Sequence, residues 1–384
     1  MGPLAGYKII EVSGIGPGPL AGMMLADLGA EVIRIDRFET DMPSPPAKFD
    51  ITGRNKKSIR LNLKTEEGKN IFFKLIATAD ALIEGYRPGV MEKLGIGPNE
   101  CLNINKKLIF GRITGWGQDG PLSHTAGHDI NYIALVGALH AIGNKDVKPS
   151  IPLNLVGDYG GGTMFLLLGI CSGLLSVQKT GKGQIVDAAM VDGVSSLMTI
   201  FNLLSKTGMW DLENRQNNMF DGGAHFYNTY MTKDKKYISI GSLEPKFYKL
   251  LLEKLEITDA QFDKQMSKVD WPELSNKLSE IFITKTQDEW NETFKDSDAC
   301  YSPVLSLDEA RYHPHLVERK NFIDLDGVIQ PSPAPRFSET VPDELRSAPE
   351  LGQDNKQILQ DIGYSENEVS NFLNNGVIKK YANF

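Results

Sequence analysis

Cysteine is scarce in this chain, with three residues among 384. Cys101, Cys171 and Cys300 lie far apart, form no CxxC pair and have no histidine at a zinc-ligand spacing. The pattern provides neither a disulfide framework nor a zinc site, and it is typical of proteins from a reducing compartment. No metal ligand set is predicted.

An excess of positive charge is also missing. Asp and Glu number 49 against 41 Lys and Arg, which gives a net charge of −8, and the isoelectric point is near 5.4. Such a charge argues against nucleic acid as the main partner. A polyanionic small ligand could still bind through a few placed arginines and lysines.

No targeting signal is recognisable. The chain leads at once into a predicted strand, so no signal peptide is expected. Gly6 stands where N-myristoylation requires Ser or Thr, and the C-terminal YANF does not match a peroxisomal SKL-type signal. We expect a cytoplasmic location, with a peroxisomal or mitochondrial one left open.

Long hydrophobic runs are lacking as well. The most apolar stretch, residues 163–177 (TMFLLLGICSGLLSV), is shorter than the roughly 20 residues that a membrane span needs. We predict a buried helix here, and a soluble protein with no membrane partner.

A strand–helix–strand unit opens the chain. Residues 7–13 have the pattern of a buried strand, a Gly/Pro loop follows at 14–19, a helix covers 21–30 and a second strand covers 31–36. This unit predicts an α/β domain with a Rossmann-like parallel sheet. Further strands are predicted at 58–63, 81–83, 108–113 and 185–191, and a helix is predicted to begin near Thr65.

The sequence changes character in its second half. Residues 225–330 begin with a strand-rich segment and continue with helices rich in Lys, Glu and Trp. We predict a smaller α+β domain there, a linker at 196–224, and a large domain formed by residues 1–195 and 331–384.

The N-terminal glycines raise the question of dinucleotide binding. Gly14, Gly16 and Gly18 lie between a strand and a helix, and Asp36 ends the next strand, where a ribose-binding acid would lie. The usual third glycine is missing, and the prolines at 17 and 19 lack backbone donors. A plain turn into the helix is therefore favoured, and nicotinamide binding is not expected.

His128 and Asp129 follow a glycine-rich loop and precede an apolar helix. His128 could be a structural residue, and taken alone that is the better interpretation. A helix start disfavours the imidazolium, which favours the neutral form that a general base needs. Asp129 could simply cap the helix.

Asp158 precedes three glycines at 160–162 and the most apolar stretch. One interpretation is again a helix N-cap. The other is a carboxylate in a partly dry site, where the glycines let a substrate approach the backbone and free N–H groups hold a developing oxyanion.

Four motifs in register carry a resemblance. GHDINY, NLVGDYGGG, TGKGQIVDAAMVDG and GSLEPKFY, in this order and spacing, resemble the family III CoA transferase superfamily, and within it the racemases of 2-methylacyl-CoA thioesters. The similarity spans nearly the whole chain. It implies an enzyme of fatty acid metabolism that binds an acyl-CoA substrate and forms an interlocked homodimer.

The resemblance further implies two-base proton transfer at C2 of the substrate, through an enolate. His128 and Asp158 would stand on opposite faces of C2, and Glu244 would orient His128. No separate cofactor is implied, because the thioester carbonyl is itself the electron sink.

Contacts to the CoA portion also follow from the resemblance, and arginine and lysine suit its phosphates. The residues implied to contact the CoA portion are Arg37, Leu61, Asn62, Leu63, Lys64, Arg87, Gly127, Asp129, Ile130, Asn131 and Tyr132. A run of methionines could be core filling or a pliable surface for the acyl chain. It comprises Met190, Met198, Met209, Met219 and Met231.

The main alternative is a CoA transferase of the same superfamily, in which the residue at Asp158 is a nucleophile. Such enzymes generally have another residue, often tyrosine, at the position of His128, so His128 favours the racemase. A non-enzymatic acyl-CoA-binding role would leave the His, Asp and Glu without a purpose. The acyl chain itself is open.

Overall fold

The computed structural model describes residues 1–39, 46–341 and 344–379. The C-terminal YANF, on which part of the localisation prediction rests, lies outside the described residues.

Two compact units make up the chain. The first comprises residues 1–136, 153–197 and 320–384, and the second comprises residues 137–152 and 198–319. The sequence analysis placed the domain boundaries at 195, 225 and 331, and these stay predictions, whereas the second compact unit spans residues 198–319 and also includes residues 137–152. The predicted linker at 196–224 falls mostly within the second unit.

A six-stranded parallel sheet forms the centre of the first unit. Its strands are β1 (Lys8–Val12), β2 (Glu31–Asp36), β3 (Lys57–Arg60), β4 (Ala81–Glu84), β5 (Ile109–Thr114) and β6 (Gln184–Ala189). Their order in the sheet is β3-β2-β1-β4-β5-β6, and every neighbouring pair is parallel. The predicted Rossmann-like α/β architecture is therefore confirmed.

Helices surround the strands and continue through the second unit. In chain order they are α1 (Pro17–Asp27), α2 (Glu66–Thr78), α3 (Val90–Lys93), α4 (Pro98–Ile104), α5 (Asp129–Leu135), α6 (Ala138–Ala141), α7 (Met164–Thr180), α8 (Met190–Leu197), α9 (Thr199–Lys206), α10 (Pro245–Lys254), α11 (Trp271–Phe282), α12 (Gln287–Phe294), α13 (Leu307–Ala310), α14 (Pro314–Glu318), α15 (Asn355–Asp361) and α16 (Glu366–Asn374). A π-helical segment, Leu155–Thr163, runs directly into α7. Thr65 caps α2 by accepting a hydrogen bond from the Gly68 N–H at 3.1 Å, as the sequence predicted.

The most apolar stretch is buried on one face only. The π-helical segment and α7 together form Leu155–Thr180, which is long and apolar enough to cross a membrane, although core helices of soluble proteins meet the same criterion. Leu166 and Ile170 are buried, whereas Leu168 and Leu175 are exposed. The prediction of a buried helix is thus wrong for one face, because the helix is apolar all round and the first unit covers a single side.

A buried ion pair fastens α1 to the sheet. Lys56 Nζ lies 2.6 Å from Glu11 Oε2 and donates to the Pro19 carbonyl at 2.9 Å. Burial raises the pKa of Glu11 and lowers the pKa of Lys56. A Cβ at Gly22 would come within 1.8 Å of Glu11 Oε2, so the close approach of helix and strand requires glycine there.

The chain returns to the first unit at its C-terminus. Ile358 and Leu359 of α15 are buried in the core formed with β1, β2 and α2. Ile378 then forms an antiparallel bridge with Leu61, directly after β3.

The second unit contains an antiparallel sheet in the order β7-β8-β9, formed by β7 (Tyr227–Met231), β8 (Tyr237–Gly241) and β9 (Tyr301–Val304). Its core is aromatic, with buried Phe226, Trp271, Phe282 and Trp290. A hairpin of β10 (Phe322–Leu325) and β11 (Val328–Pro331) follows in the first unit. The strand-rich start predicted from residue 225 corresponds to β7 and β8, which the helices α10 to α12 follow.

A buried histidine should make the second unit sensitive to acid. His225 is fully buried, and its Nε2 lies 2.7 Å from the Tyr248 hydroxyl, which donates to the Phe262 carbonyl at 3.0 Å. Burial lowers the pKa of His225 to about 4, below its usual value of 6.5. The unfolded chain therefore binds the extra proton first, and stability decreases by roughly 3 kcal/mol as the pH falls from 6.5 to 4.

His225→Gln keeps a donor toward Tyr248 but cannot take up that proton. We expect the variant to lose less stability than the wild type between pH 6.5 and 4, in denaturant unfolding followed by tryptophan fluorescence. Trp210, Trp271 and Trp290 report on this unit. Identical pH dependence in the two proteins would contradict the prediction.

Candidate active site

A cleft of about 250 Å³ opens at the carboxyl ends of the central strands. It is lined by residues of 12–19 after β1, 83–88 after β4, 113–116 after β5, and 123–132. β1 and β4 are neighbours at the point where the strand order reverses, so the loops that follow them diverge. Open parallel sheets bind their ligands at this point.

The Gly/Pro loop forms one wall of this cleft. Gly16 precedes α1 with φ of 74°, and Pro17 is the first residue of that helix. A Cβ on Gly16 would lie 3.5 Å from Asp158 Oδ2, so the loop passes beside that carboxylate. Thr163 Oγ1 donates to the Pro17 carbonyl at 2.9 Å and ties the loop to the segment that carries Asp158.

His128 lies at the start of α5 and lines the cleft. Its backbone N–H donates to Asn131 Oδ1 at 3.1 Å, and its side chain is exposed. His128, and not Asp129, therefore occupies the N-cap position. The position of the ring at a helix start agrees with the sequence analysis.

Asp158 lies inside the π-helical segment, four residues after Asn154. The N-cap interpretation is therefore wrong, because helical structure begins at Leu155 and continues without interruption into α7. Asn154 Nδ2 donates to Asp158 Oδ2 at 3.1 Å. π-helical turns are rare and occur often at functional sites.

Asp129 reaches across from α5 to this segment. Its Oδ2 accepts the backbone N–H groups of Gly157 and Asp158, each at 2.7 Å. The prediction that Asp129 caps its own helix is wrong for this reason. The two N–H groups are occupied, so they do not form the free oxyanion site that the sequence suggested at this helix start.

Burial of the half-buried Asp158 raises the pKa of its carboxyl group. The hydrogen bond from Asn154 and the charge of His128 lower that pKa, whereas the negative charge of Asp129 raises it. Burial and the charge of Asp158 raise the pKa of Tyr132 to about 12, so its hydroxyl is protonated at neutral pH. The structure thus brings His128, Asp129, Tyr132 and Asp158 together.

Two of the predicted CoA-binding arginines lie near the mouth of the cleft. Arg87 lines it, next to Tyr86. Arg37 follows β2, is exposed, and lies close enough for its charge to affect the pKa of Tyr86. Both guanidinium groups belong to loops at the carboxyl edge of the sheet.

The LNLK segment after β3 is only partly open to solvent. The Leu61 side chain is buried in the core, and Leu63 packs against the same core. The Asn62 N–H donates to the Val377 carbonyl at 2.9 Å, whereas the Lys64 side chain is exposed. Lys64 is therefore the residue of this segment whose charge is exposed to solvent.

The remaining predicted contacts follow one another along the chain. Gly127 and Tyr132 line the cleft, and a Cβ at Gly127 would lie 2.7 Å from the Tyr132 ring. Ile130 and Asn131 are exposed on the first turn of α5. Glu244 belongs to the second unit, where it is exposed at the start of α10.

The methionines do not share one environment. Met190 is buried and lines the cleft, and Met219 packs on the core of the second unit. Met209 and Met231 are exposed, and Met198 is half-buried. Core filling therefore describes two of them, and the interpretation as an acyl-chain surface stays a prediction.

Three site residues were missed by the sequence analysis. Trp116 and Tyr86 line the cleft, and Trp116 packs edge-on against Tyr132 with ring centroids 4.8 Å apart. Their positions just after β5 and β4 were the available signal. Asn154 was missed although its spacing of four residues from Asp158 places both on one helical face.

Comparison with known proteins shows the family of the chain. A sequence model of CoA-transferase family III matches residues 4–355. The chain belongs to the CoA-transferase family III. It is 41% identical to alpha-methylacyl-CoA racemase of Mus musculus over 95% of both chains.

Other members of the family show its range. Succinyl-CoA:glutarate CoA-transferase of Mus musculus is 31% identical over 99% of this chain and 91% of its own. A crystal structure of a CAIB/BAIF family protein from Brucella suis superposes with a TM-score of 0.81 at 26% identity, covering 94% of this chain and 99% of that one. The fold of the family is therefore also the fold of this chain.

Asn154→Ala should raise the pKa of Asp158, because the Asn154 amide donates to the ionised carboxylate and lowers that pKa. The measurement is a pH titration of the side-chain carboxyl resonance in protein labelled with ¹³C-aspartate, with Asp158→Asn to assign the signal. An unchanged or lower pKa would contradict the geometry described.

Proposed function

We propose that this protein is a racemase that interconverts the R and S forms of 2-methylacyl-CoA thioesters. The observation that carries the proposal is that His128, which lines the cleft, lies close enough to Asp158 for its charge to lower the pKa of that carboxyl group, in a chain 41% identical to a racemase of this kind. Each side chain can accept a proton in one form and donate one in the other. A 1,1-proton transfer requires two such groups.

In the proposed reaction, one base removes the proton from C2 of the acyl group. The C2–H electron pair moves into the thioester, which becomes an enolate. The other residue, protonated at the start, delivers its proton to the opposite face of C2, and the carbonyl reforms. The enzyme ends with the proton on the first base. The burial of Asp158 supports the proposal, since a raised pKa brings a carboxyl group closer to the range useful for proton transfer.

The same chemistry needs no further cofactor, because the thioester carbonyl accepts the charge. We also keep two proposals from the resemblance, namely that Glu244 orients His128 and that the protein forms a homodimer, and one from the targeting signals, namely that it works in the cytoplasm. Glu244 would then affect the rate through His128 and would not touch C2.

A CoA transferase with Asp158 as nucleophile is the second candidate, since the family includes such enzymes. In that reaction Asp158 would attack the thioester carbonyl and form an anhydride with release of CoA. His128 favours the racemase, because a transferase has no use for a second base across C2.

Incubation of the protein with 2-methylacyl-CoA in deuterium oxide should place deuterium at C2 without any added cofactor. His128→Ala and Asp158→Ala should each lower racemisation by about 10²–10⁴-fold, because every turnover needs one donor and one acceptor. Mass spectrometry measures the exchange and optical rotation measures the racemisation.

His124→Ala is the matched control, since His124 is an exposed histidine of the same loop, four residues before His128. Glu244→Gln should do less harm than His128→Ala. Exchange is followed for each isomer separately, because His128 is expected to act on the S form and Asp158 on the R form. Acyl transfer to a carboxylic acid without exchange would establish the transferase instead.

Arg87→Ala and Arg37→Ala should weaken binding of the CoA phosphates. A lost charge-assisted hydrogen bond should raise KM for the acyl-CoA roughly tenfold or more, with little change in kcat. The same acyl group on pantetheine, which lacks the nucleotide, should show no such change.

Lys107→Ala is the charge-matched control, because Lys107 is exposed at the amino end of β5. Equal effects of an arginine variant on both substrates would remove that arginine from phosphate binding.

A further inference from the structure

The Asp129 carboxylate is an unusual group to find buried beside the segment that carries Asp158. It is 5% exposed, and its two oxygens have different environments. Oδ2 accepts two backbone N–H bonds at 2.7 Å. Oδ1 is buried and has no hydrogen-bond partner among the described residues. A buried carboxylate with an unsatisfied oxygen is costly, so its retention calls for a role.

The two bonds fix the backbone at the residue that carries the reacting carboxyl group. Asp158 donates one of them through its own N–H, and Gly157 donates the other. A Cβ at Gly157 would lie 2.5 Å from Asp129 Oδ2, so glycine is what permits this approach. Asp129 thus holds the start of the π-helical segment against α5, the helix that begins beside His128.

The bonds also couple the two bases of the proposed reaction. His128 directly precedes Asp129, and Asp158 is bonded to Asp129 through its backbone N–H. A displacement of Asp129 therefore changes the separation between the imidazole and the carboxyl group that must face each other across C2.

We propose that Asp129 is a positioning residue, which sets the place of the Asp158 carboxyl group relative to His128 and does not act by binding the substrate through its side chain. The inference rests on the proposed racemase function. It gives Asp129 a role different from the substrate contact implied by the resemblance.

The negative charge of Asp129 also acts on the Asp158 carboxyl group. The groups that face Asp158 are His128 and Asp129 at the start of α5, Tyr132 one turn later, and Asn154. Of these, Asp129 disfavours the ionised form of Asp158 by like-charge repulsion, and so raises its pKa. Removing the charge should lower the pKa of Asp158, so that Asp158 stays ionised to a lower pH.

Two variants separate position from charge. Asp129→Asn keeps a side-chain oxygen that can accept a backbone N–H but carries no charge. Asp129→Ala leaves both N–H groups without an acceptor. Asp80→Asn is the matched control, since Asp80 Oδ2 also accepts a backbone N–H, from Lys8 at 2.8 Å, at the amino edge of the same sheet.

The expected results are specific. Asp129→Ala should lower kcat for C2 exchange by about 10²-fold with KM nearly unchanged, because a small displacement of a reacting group is costly. Asp129→Asn should retain more of kcat and shift the acidic limb of the pH profile to lower pH. In ¹³C-aspartate titrations it should lower the pKa of Asp158, whereas Asp80→Asn should change neither quantity.

Wild-type kcat and an unshifted Asp158 titration in Asp129→Asn would overturn the inference. So would a rise in KM with kcat preserved, since that pattern belongs to a substrate contact. The titration of Asp158 needs no substrate, so it tests the influence of Asp129 even if the wild type fails to exchange C2, an outcome that would reject the proposed function alone.

Discussion

The reversal of strand order between β1 and β4 is the constraint on which the rest of the molecule depends. These two parallel strands lie side by side, and the connections that follow them run toward opposite edges of the sheet. An open crevice is left at their carboxyl ends. The Gly/Pro loop, Arg87 and His128 belong to loops or a helix start at that edge. The site is therefore a consequence of sheet topology, and the buried Glu11–Lys56 pair helps to hold one of its walls in place through the Pro19 carbonyl.

Two carboxylates near one another in this crevice have different environments. Asp129 is buried and bonded to the backbone, whereas Asp158 is half-buried and receives one side-chain donor, from Asn154. The less constrained carboxyl group is the one available for a reaction. The more constrained one, Asp129, accepts hydrogen bonds from the backbone of Gly157 and Asp158, and its negative charge raises the pKa of Asp158.

The sequence predicted the strands of the first unit well, because fully buried parallel strands have continuous apolar runs that end at Gly and Pro. It predicted the π-helical segment poorly. NLVGDYGGG contains three glycines in succession, and such composition is typical of a loop before a helix. The observed helical start is stabilised by the Asp129 carboxylate, which lies 28 and 29 residues earlier in the chain. A hydrogen bond between residues so far apart in the chain cannot be predicted from the local sequence pattern.

The same limit explains the error on the apolar helix α7. The sequence pattern shows that α7 is apolar all round, but Leu168 and Leu175 are exposed because none of the described residues of the first unit covers that side. For the site, the sequence motifs identified His128 and Asp158 but did not show how the two side chains are arranged. The geometry supplied Asn154, whose hydrogen bond lowers the pKa of Asp158 against the effect of burial, and the contact between Asp129 and the backbone.

One scaffold can therefore support different chemistry on the same thioester. A carboxyl group beside the thioester is a nucleophile when it reaches the carbonyl carbon, and a base when it reaches the proton on C2. Racemisation also demands a second proton carrier across C2, which His128 provides in the proposed reaction. The backbone bonds of Asp129 bear on the choice, because they limit how far Asp158 can move from one target atom toward the other. A carboxyl group carried on a fixed backbone suits proton transfer, in which the base returns to the same place at every turnover, better than it suits a covalent intermediate that has to form and break at a second atom.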